Sequence, residues 1–226
     1  MFYLTYRPKT IAEIDNSQIK TVFDNLLSQQ HFPHAFLFIG RKGTGKTSAA
    51  RIIAKAVNCL NNSFAGKGKS YEPCNRCTNC KNIDKSASPD VIELDAASNR
   101  GIDDIKNLIK EVGFLPMTGH FRLFIIDEAH MITNEGFNAL LKTLEEPPAT
   151  AIFILATTNP EKVPPTIASR CQVINFGQAG TVDILQMFKR INQTEKIDFS
   201  PEMLNLIAEN SDHSFRDASK LLEEAV

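Results

Sequence analysis

The chain has no tryptophan and only three tyrosines, a scarcity with no functional message. Other absences exclude more. No apolar run approaches the roughly 20 residues needed to span a bilayer. No N-terminal stretch has the charged, apolar and small-residue regions of a secretory leader. We therefore expect a cytoplasmic chain with no membrane partner. Neither charge is in excess: 25 Lys and Arg face 26 Asp and Glu, a formal net charge of -1. Bulk electrostatics neither demand nor forbid a nucleic-acid partner, so any phosphate contact has to be local. No internal repeat or low-complexity tract is visible. The 226 residues, 42% of them hydrophobic, suffice for one large domain or for a medium and a small one with a sizeable core.

What the chain does contain is organised around one segment. Gly40-Arg41-Lys42-Gly43-Thr44-Gly45-Lys46-Thr47 matches G-x-x-x-x-G-K-[ST] at every fixed position. The apolar run Ala35–Ile39 before it reads as a buried strand, and Ser48 to Ala56 after it reads as a helix. A strand, a glycine turn and a helix N-terminus form an anion cradle, because backbone N–H groups and the positive end of the helix dipole point at phosphate oxygens. Gly40, Lys42, Gly43, Thr44, Gly45 and Ser48 are the expected cradle. Lys46 is expected at the β- and γ-phosphates, with the Thr47 hydroxyl on Mg²⁺. A chance glycine-rich turn is the plainer reading, and the flanking strand and helix argue against it.

Five cysteines need a reason in a reducing compartment. Cys74, Cys77 and Cys80 stand at C-x-x-C-x-x-C spacing, and Cys59 lies upstream across a loop rich in Asn, Gly, Lys and Ser. Four thiolates on a short loop suit tetrahedral zinc in a closed, structural site. Disulfides, disfavoured in the cytosol, and free thiols are the alternatives. Cys171 stands apart and reads as a packed thiol.

Apolar runs over 35–39, 90–95, 122–126, 151–156 and 171–176 predict five strands. Helical periodicity is read over 17–30, 48–56, 102–112 and 134–146, with Ser98 and Asn99 as candidate caps of the third. Alternating strands and helices predict an α/β fold: a parallel sheet with helices on both faces and ligands at the strands' carboxyl ends. After Gly177 only helical periods remain, and Ser200-Pro201 is a good helix start. We expect an α/β domain over 1–177, with a cysteine module at about 59–80, and a small helical domain over 178–226.

The third strand closes on Asp127-Glu128, a Walker B element. Asp127 is expected to hold Mg²⁺ through water, and Glu128 to polarise the water attacking a γ-phosphate. A strand ending in ordinary surface acids is the alternative, disfavoured by the phosphate loop upstream. Thr158 ends the fourth strand, which we place beside the second. Its hydroxyl suits sensing of the γ-phosphate, and a turn Thr before Asn-Pro is an equally available reading. Arg170 is either a solvated or salt-bridged surface residue or an arginine finger for a neighbouring subunit's nucleotide. Arg216 either folds over the phosphates from the helical side or pairs with Asp212 or Asp217.

In combination, Tyr6-Arg7-Pro8, GRKGTGKT, the cysteine motif, LDAAS, IIDEAH, ALLKTLEEPP, ILATTNP, SRC and SFRDA resemble the tau/gamma clamp-loader ATPases of bacterial DNA polymerase III, within the AAA+ family. The resemblance covers nearly the whole chain. It implies a Rossmann-like P-loop ATPase domain, a zinc module inserted after the first helix, and a three-helix lid. It also implies Thr158 as sensor 1, Arg170 as a finger acting in trans, Arg216 as sensor 2, and Arg7 at the adenine pocket. The implied cofactors are ATP, Mg²⁺ and Zn²⁺. The implied partners are copies of the chain, delta and delta-prime subunits, the sliding clamp and primer-template DNA. Ser98, Asn99, Arg100 and Lys142 lie in the stretches matching the DNA-tracking surface, against the reading that Arg100 and Lys142 are ordinary solvated charges.

The chain departs from the family pattern in places. The Cys59–Cys74 interval is lengthened, Ile11 replaces a frequent Phe, Asn16-Ser17-Gln18 replaces Gly-Gln, and His213 replaces a Gly. It stops where family members continue into a helical collar, so we expect a fragment. The implied function is ATP hydrolysis that drives clamp loading during DNA replication. The rivals are a nucleotide-switched scaffold subunit with little or no turnover, a zinc-binding recognition module, and a small-molecule kinase.

Overall fold

The computed structural model describes residues 1–28, 32–67, 70–197 and 199–226. A short helix α1 (Phe2–Thr5) leads through an extended strap to α2 (Ser17–Ser28) and β1 (Ala35–Ile39). Residues 29 and 30 of the expected first long helix lie outside the described residues. Then come α3 (Lys46–Asn58), the cysteine-bearing loop, α4 (Thr78–Asp84), β2 (Val91–Asp95) and α5 (Ile102–Val112). The chain continues through β3 (Arg122–Asp127), α6 (Asn134–Glu145), β4 (Ala151–Thr157), α7 (Pro165–Ala168) and β5 (Gln172–Asn175). Three helices follow: α8 (Thr181–Glu195), α9 (Pro201–Glu209) and α10 (Phe215–Glu224).

The five strands pair in parallel in the order β2-β3-β4-β1-β5. Alternation along each strand explains why both faces are covered. Phe36, Phe38, Leu123, Ile125, Ile152 and Ile154 pack with α2 and α3 in one core. Leu37, Phe124, Ile126, Phe153 and Leu155 pack with α5 and α6 in a second. Successive side chains of a strand point to opposite faces, so a parallel sheet between two helical layers needs near-continuous apolar strands. A third core, including Ile184, Phe188, Ala208 and Leu222, joins α8, α9 and α10, with Phe2 and Tyr6 packed against it.

Two expectations are corrected. The cap of α5 is Gly101 rather than Ser98 or Asn99, and its N–H donates to Asp104 Oδ2 at 3.2 Å. Asp95 captures the earlier residues instead: its main-chain oxygen accepts the Ser98 and Asn99 N–H groups at 3.1 and 2.9 Å. Strand β4 lies between β1 and β3, not beside β2. Its end therefore stands between the phosphate-loop motif and the acidic pair. The start of α9 is as expected, with Ser200 Oγ accepting the Met203 N–H at 3.3 Å.

Candidate functional site

The glycine-rich segment turns from the end of β1 into the head of α3. Gly43 and Gly45 have φ of 82° and 97°, the left-handed region that side chains resist. Gly43 is also a point of close approach: a Cβ there would lie 2.0 Å from Ser214 Oγ, and its carbonyl accepts the Phe215 N–H at 3.1 Å. The loop thus touches the first turn of α10. Thr44 Oγ1 donates to the Arg41 carbonyl at 2.9 Å. Lys46 Nζ folds onto its own loop, donating to the Gly40 and Arg41 carbonyls at 2.8 and 2.9 Å.

Thr47 at the head of α3 reaches across to β3, where its hydroxyl donates to Asp127 Oδ2 at 2.7 Å. The other oxygen of Asp127 accepts the Glu128 N–H at 2.9 Å. Glu128 has a φ of 48°, which turns its carboxylate off the strand line. Glu128 Oε2 accepts from Thr158 Oγ1 at 3.2 Å, and that hydroxyl also faces Asn159 Oδ1 at 2.9 Å. The His130 ring closes the group: its Nδ1 lies 3.1 Å from Thr157 Oγ1 and 3.5 Å from Glu128 Oε2.

A cavity of about 490 Å³ opens over these residues. Lys42 to Ser48, Asp127 and Glu128 line its polar end, and Arg216 enters from α10. Tyr3, Tyr6, Pro8, Ile14, Ile52 and Met187 give the cavity its more apolar lining, and Arg7 enters from the strap between α1 and α2. Arg216 makes no ion pair among the described residues. Burial, then the neighbouring Arg51 and Arg216, push the Arg7 guanidinium down from its ordinary value. Burial also pushes Lys46 down; Asp127 and Glu128 oppose the shift, and Arg216 adds to it. Cations crowded into one cavity are costly until an anion neutralises them. A polyphosphate fits that demand. The Thr47 and Asp127 oxygens suit Mg²⁺, a hard cation that prefers oxygen and keeps part of its water.

The remaining predicted residues lie elsewhere. Thr158 lies outside the cavity wall and meets the site through Glu128. Arg170 is absent from the cavity wall: its Nη2 pairs with Glu145, and its Nη1 donates to the Thr166 carbonyl at 2.6 Å. Ser98, Asn99 and Arg100 form the turn before α5, whereas Lys142 sits near the tail of α6 beside Ile109 and Val112. The structure does not gather these four into one cluster.

The four cysteines do converge. The sulfurs of Cys59, Cys74, Cys77 and Cys80 all lie within 4.8 Å of one another. Cys59 ends α3 and Cys77 caps α4, so two helix ends hold the set. Backbone N–H groups of Cys74, Cys77 and Cys80 donate to the sulfurs of Cys59, Cys74 and Cys77 at 3.4, 3.3 and 3.5 Å. Burial pushes the Cys74 thiol up, but donors from Arg76, Cys77 and Asn61 outweigh it and bring it down to about 6. Burial pushes Cys59 and Cys80 up. Four convergent sulfurs supported by N–H donors fit zinc, which would hold them as thiolates and close the loop. Cys171 is packed as expected, its thiol pushed up to about 11 by burial.

Sequence reasoning missed His130, although it stands only two residues beyond Glu128. Its signal was available in the Asp-Glu-Ala-His run, but the short turn Ala129–Met131 that folds the ring back onto Thr157 has no periodicity to read. Lys55 was also passed over. It is 1% exposed and pairs with Asp84 at 2.8 Å and Asn75 Oδ1 at 2.9 Å.

Among curated proteins, the chain is 44% identical over 225 residues to DNA polymerase III subunit tau of Bacillus subtilis, covering 99% of this chain and 39% of that protein. It is 40% identical over 222 residues to the Escherichia coli subunit tau, covering 98% of this chain and 34% of that protein. The chain thus spans little more than a third of these relatives. Among solved structures it is similar to the Thermotoga maritima RuvB Holliday junction branch migration motor, with a TM-score of 0.67, 17% identity, and coverage of 96% of this chain and 64% of that one. It is also similar to a DNA polymerase III gamma subunit-related protein of Thermotoga maritima, with a TM-score of 0.50, 19% identity, and coverage of 92% and 58%. The RuvB likeness shows the fold, a parallel sheet between helical layers followed by three further helices. The family described as DNA polymerase III, delta subunit, matches residues 15–179, and the chain belongs to it.

Proposed function

We propose that the chain is the ATP-hydrolysing motor region of a DNA polymerase III sliding-clamp loader. One observation carries the reading: the Thr47 hydroxyl and the Asp127 carboxylate meet at 2.7 Å at the head of the phosphate-loop helix, with Lys46 and Glu128 lining the same cavity. The loop's N–H groups and Lys46 would receive the phosphates once Lys46 leaves its own carbonyls. Mg²⁺, held by Thr47 and Asp127, would neutralise charge on the β- and γ-oxygens. Glu128 orients the attacking water, with Thr158 holding the carboxylate. Arg216 covers the phosphates from the lid, and Arg170 serves the next subunit's nucleotide. The apolar end beside Arg7 accepts the base.

In this reading residues 1–177 are the ATPase domain, with a zinc module at about 59–80, and 178–226 are the lid. The partners are copies of the chain, delta and delta-prime subunits, the clamp and primer-template DNA. Ser98, Asn99, Arg100 and Lys142 contribute phosphate contacts that a spiral of subunits repeats. ATP favours one assembly state because it binds that state better. Phosphate release by the assembled loader, measured with and without clamp and primed DNA, tests this. The expected result is turnover that rises when both are added. Turnover indifferent to both contradicts the clamp-loading role.

A further inference from the structure

One part of the cavity wall comes from the strap over residues 7–16, which contributes Arg7, Pro8, Ile14, Asp15 and Asn16. The strap has no regular secondary structure; the N–H groups of Lys9, Glu13 and Ile14 bond within it, and its other backbone groups need partners from elsewhere. Arg190 on α8 bridges the two ends of the strap, donating to the Tyr6 carbonyl at 3.1 Å and to Asp15 Oδ2 at 2.7 Å. Its sheet end is held by Asn16, whose Nδ2 donates to the Phe176 carbonyl at 3.0 Å. Its middle is held by a carboxylate from a remote part of the chain. Glu72 Oε2 accepts the Ile11 N–H at 2.9 Å, and Glu72 Oε1 accepts the Ala12 N–H at 2.8 Å. Both oxygens of one ionised group thus hold consecutive backbone donors, which is stronger and more directional than a pair of neutral contacts.

Glu72 is itself anchored. It stands two residues before Cys74, at the end of the loop that carries the cysteine cluster. Asn62 Nδ2 ties this loop to α3, donating to the Ala56 and Tyr71 carbonyls at 2.7 and 2.9 Å. The buried Lys55 ties α3 to Asn75 and Asp84. Glu72 thereby links the outer end of the phosphate-loop helix to Ile11 and Ala12, which stand between the cavity-lining residues Pro8 and Ile14 of the strap. We propose that Glu72 is a positioning residue for the nucleotide, holding the strap so that the base-side wall meets the cavity at a fixed distance from the phosphate loop. The cysteine loop is then a brace of the binding site as well as a closed metal module. This rests on the reading of the cavity as a nucleotide site.

The test uses the full chain as Glu72→Ala and Glu72→Gln. Three quantities are read: zinc content, magnesium-ADP affinity by calorimetry, and hydrogen exchange of the backbone over residues 9–16. Losing both contacts to the charged group is expected to weaken nucleotide affinity about tenfold. Exchange over the strap should quicken while zinc content stays at the parent level. Glu72→Gln keeps one acceptor oxygen and should fall between. Unchanged affinity in Glu72→Ala overturns the proposal. So does weakened affinity with unaltered exchange over the strap, or weakened affinity that tracks lost zinc. A parent chain that binds no magnesium-ADP overturns the nucleotide reading itself, whereas a parent that binds with Glu72→Ala equal to it overturns only the link through Glu72.

Discussion

Glu128→Gln is expected to abolish ATP turnover while nucleotide binding persists. Gln has nearly the same volume and still accepts the Thr158 hydroxyl, so the local geometry around Asp127 should survive. What would disappear, in the proposed reading, is the carboxylate that draws a proton from the attacking water. Removing a positioned general base costs on the order of 10²- to 10⁴-fold in rate. The effect should fall on kcat, because Lys46, Thr47 and the loop N–H groups proposed to hold the phosphates are untouched. Steady-state phosphate release combined with a binding titration checks this. Turnover close to that of the parent, or loss of binding in step with turnover, would remove Glu128 from the catalytic role.

Arg170→Ala should be as damaging by a different route. In one chain Arg170 is paired with Glu145 and stands apart from the cavity wall, so it cannot serve its own nucleotide without a large rearrangement. Its side chain is 33% exposed and is available to a neighbour. An arginine supplied across a subunit boundary contributes on the order of 10³-fold or more. In the assembled loader, Arg170→Ala should lose turnover and keep nucleotide affinity. The trans arrangement adds a sharper expectation. Mixing Arg170→Ala subunits with Glu128→Gln subunits should restore part of the activity, since each supplies what the other lacks. A mixture as inactive as its components would contradict action in trans. So would turnover that stays first order in protein on dilution and survives Arg170→Ala.

Much of this site was legible because its signals are local. Gly40 to Thr47 and Asp127-Glu128 announce themselves within a few residues, and the apolar runs around them gave all five strands. The turn before α5 was misread because Ser98 and Asn99 are good caps in isolation, while Asp95 takes their N–H groups in the folded chain. Strand order is a matter of tertiary pairing, so no periodicity shows that β4 separates β1 from β3. Glu72 and Ile11 are 61 positions apart, and nothing near either residue marks the other. Lys55 looks like a solvated lysine until α4 packs over it and supplies Asp84. Contacts of this kind, made by polar residues distant in sequence, are where reading the sequence runs out.

The central claim is that a magnesium-bound nucleoside triphosphate seats where the glycine turn meets α3. Calorimetric titration of the purified chain with a non-hydrolysable ATP analogue, with and without magnesium and alongside Lys46→Ala, measures it directly. The account predicts one site per chain, tighter with magnesium and lost in Lys46→Ala. A folded chain that takes up no nucleotide under any of these conditions would contradict it.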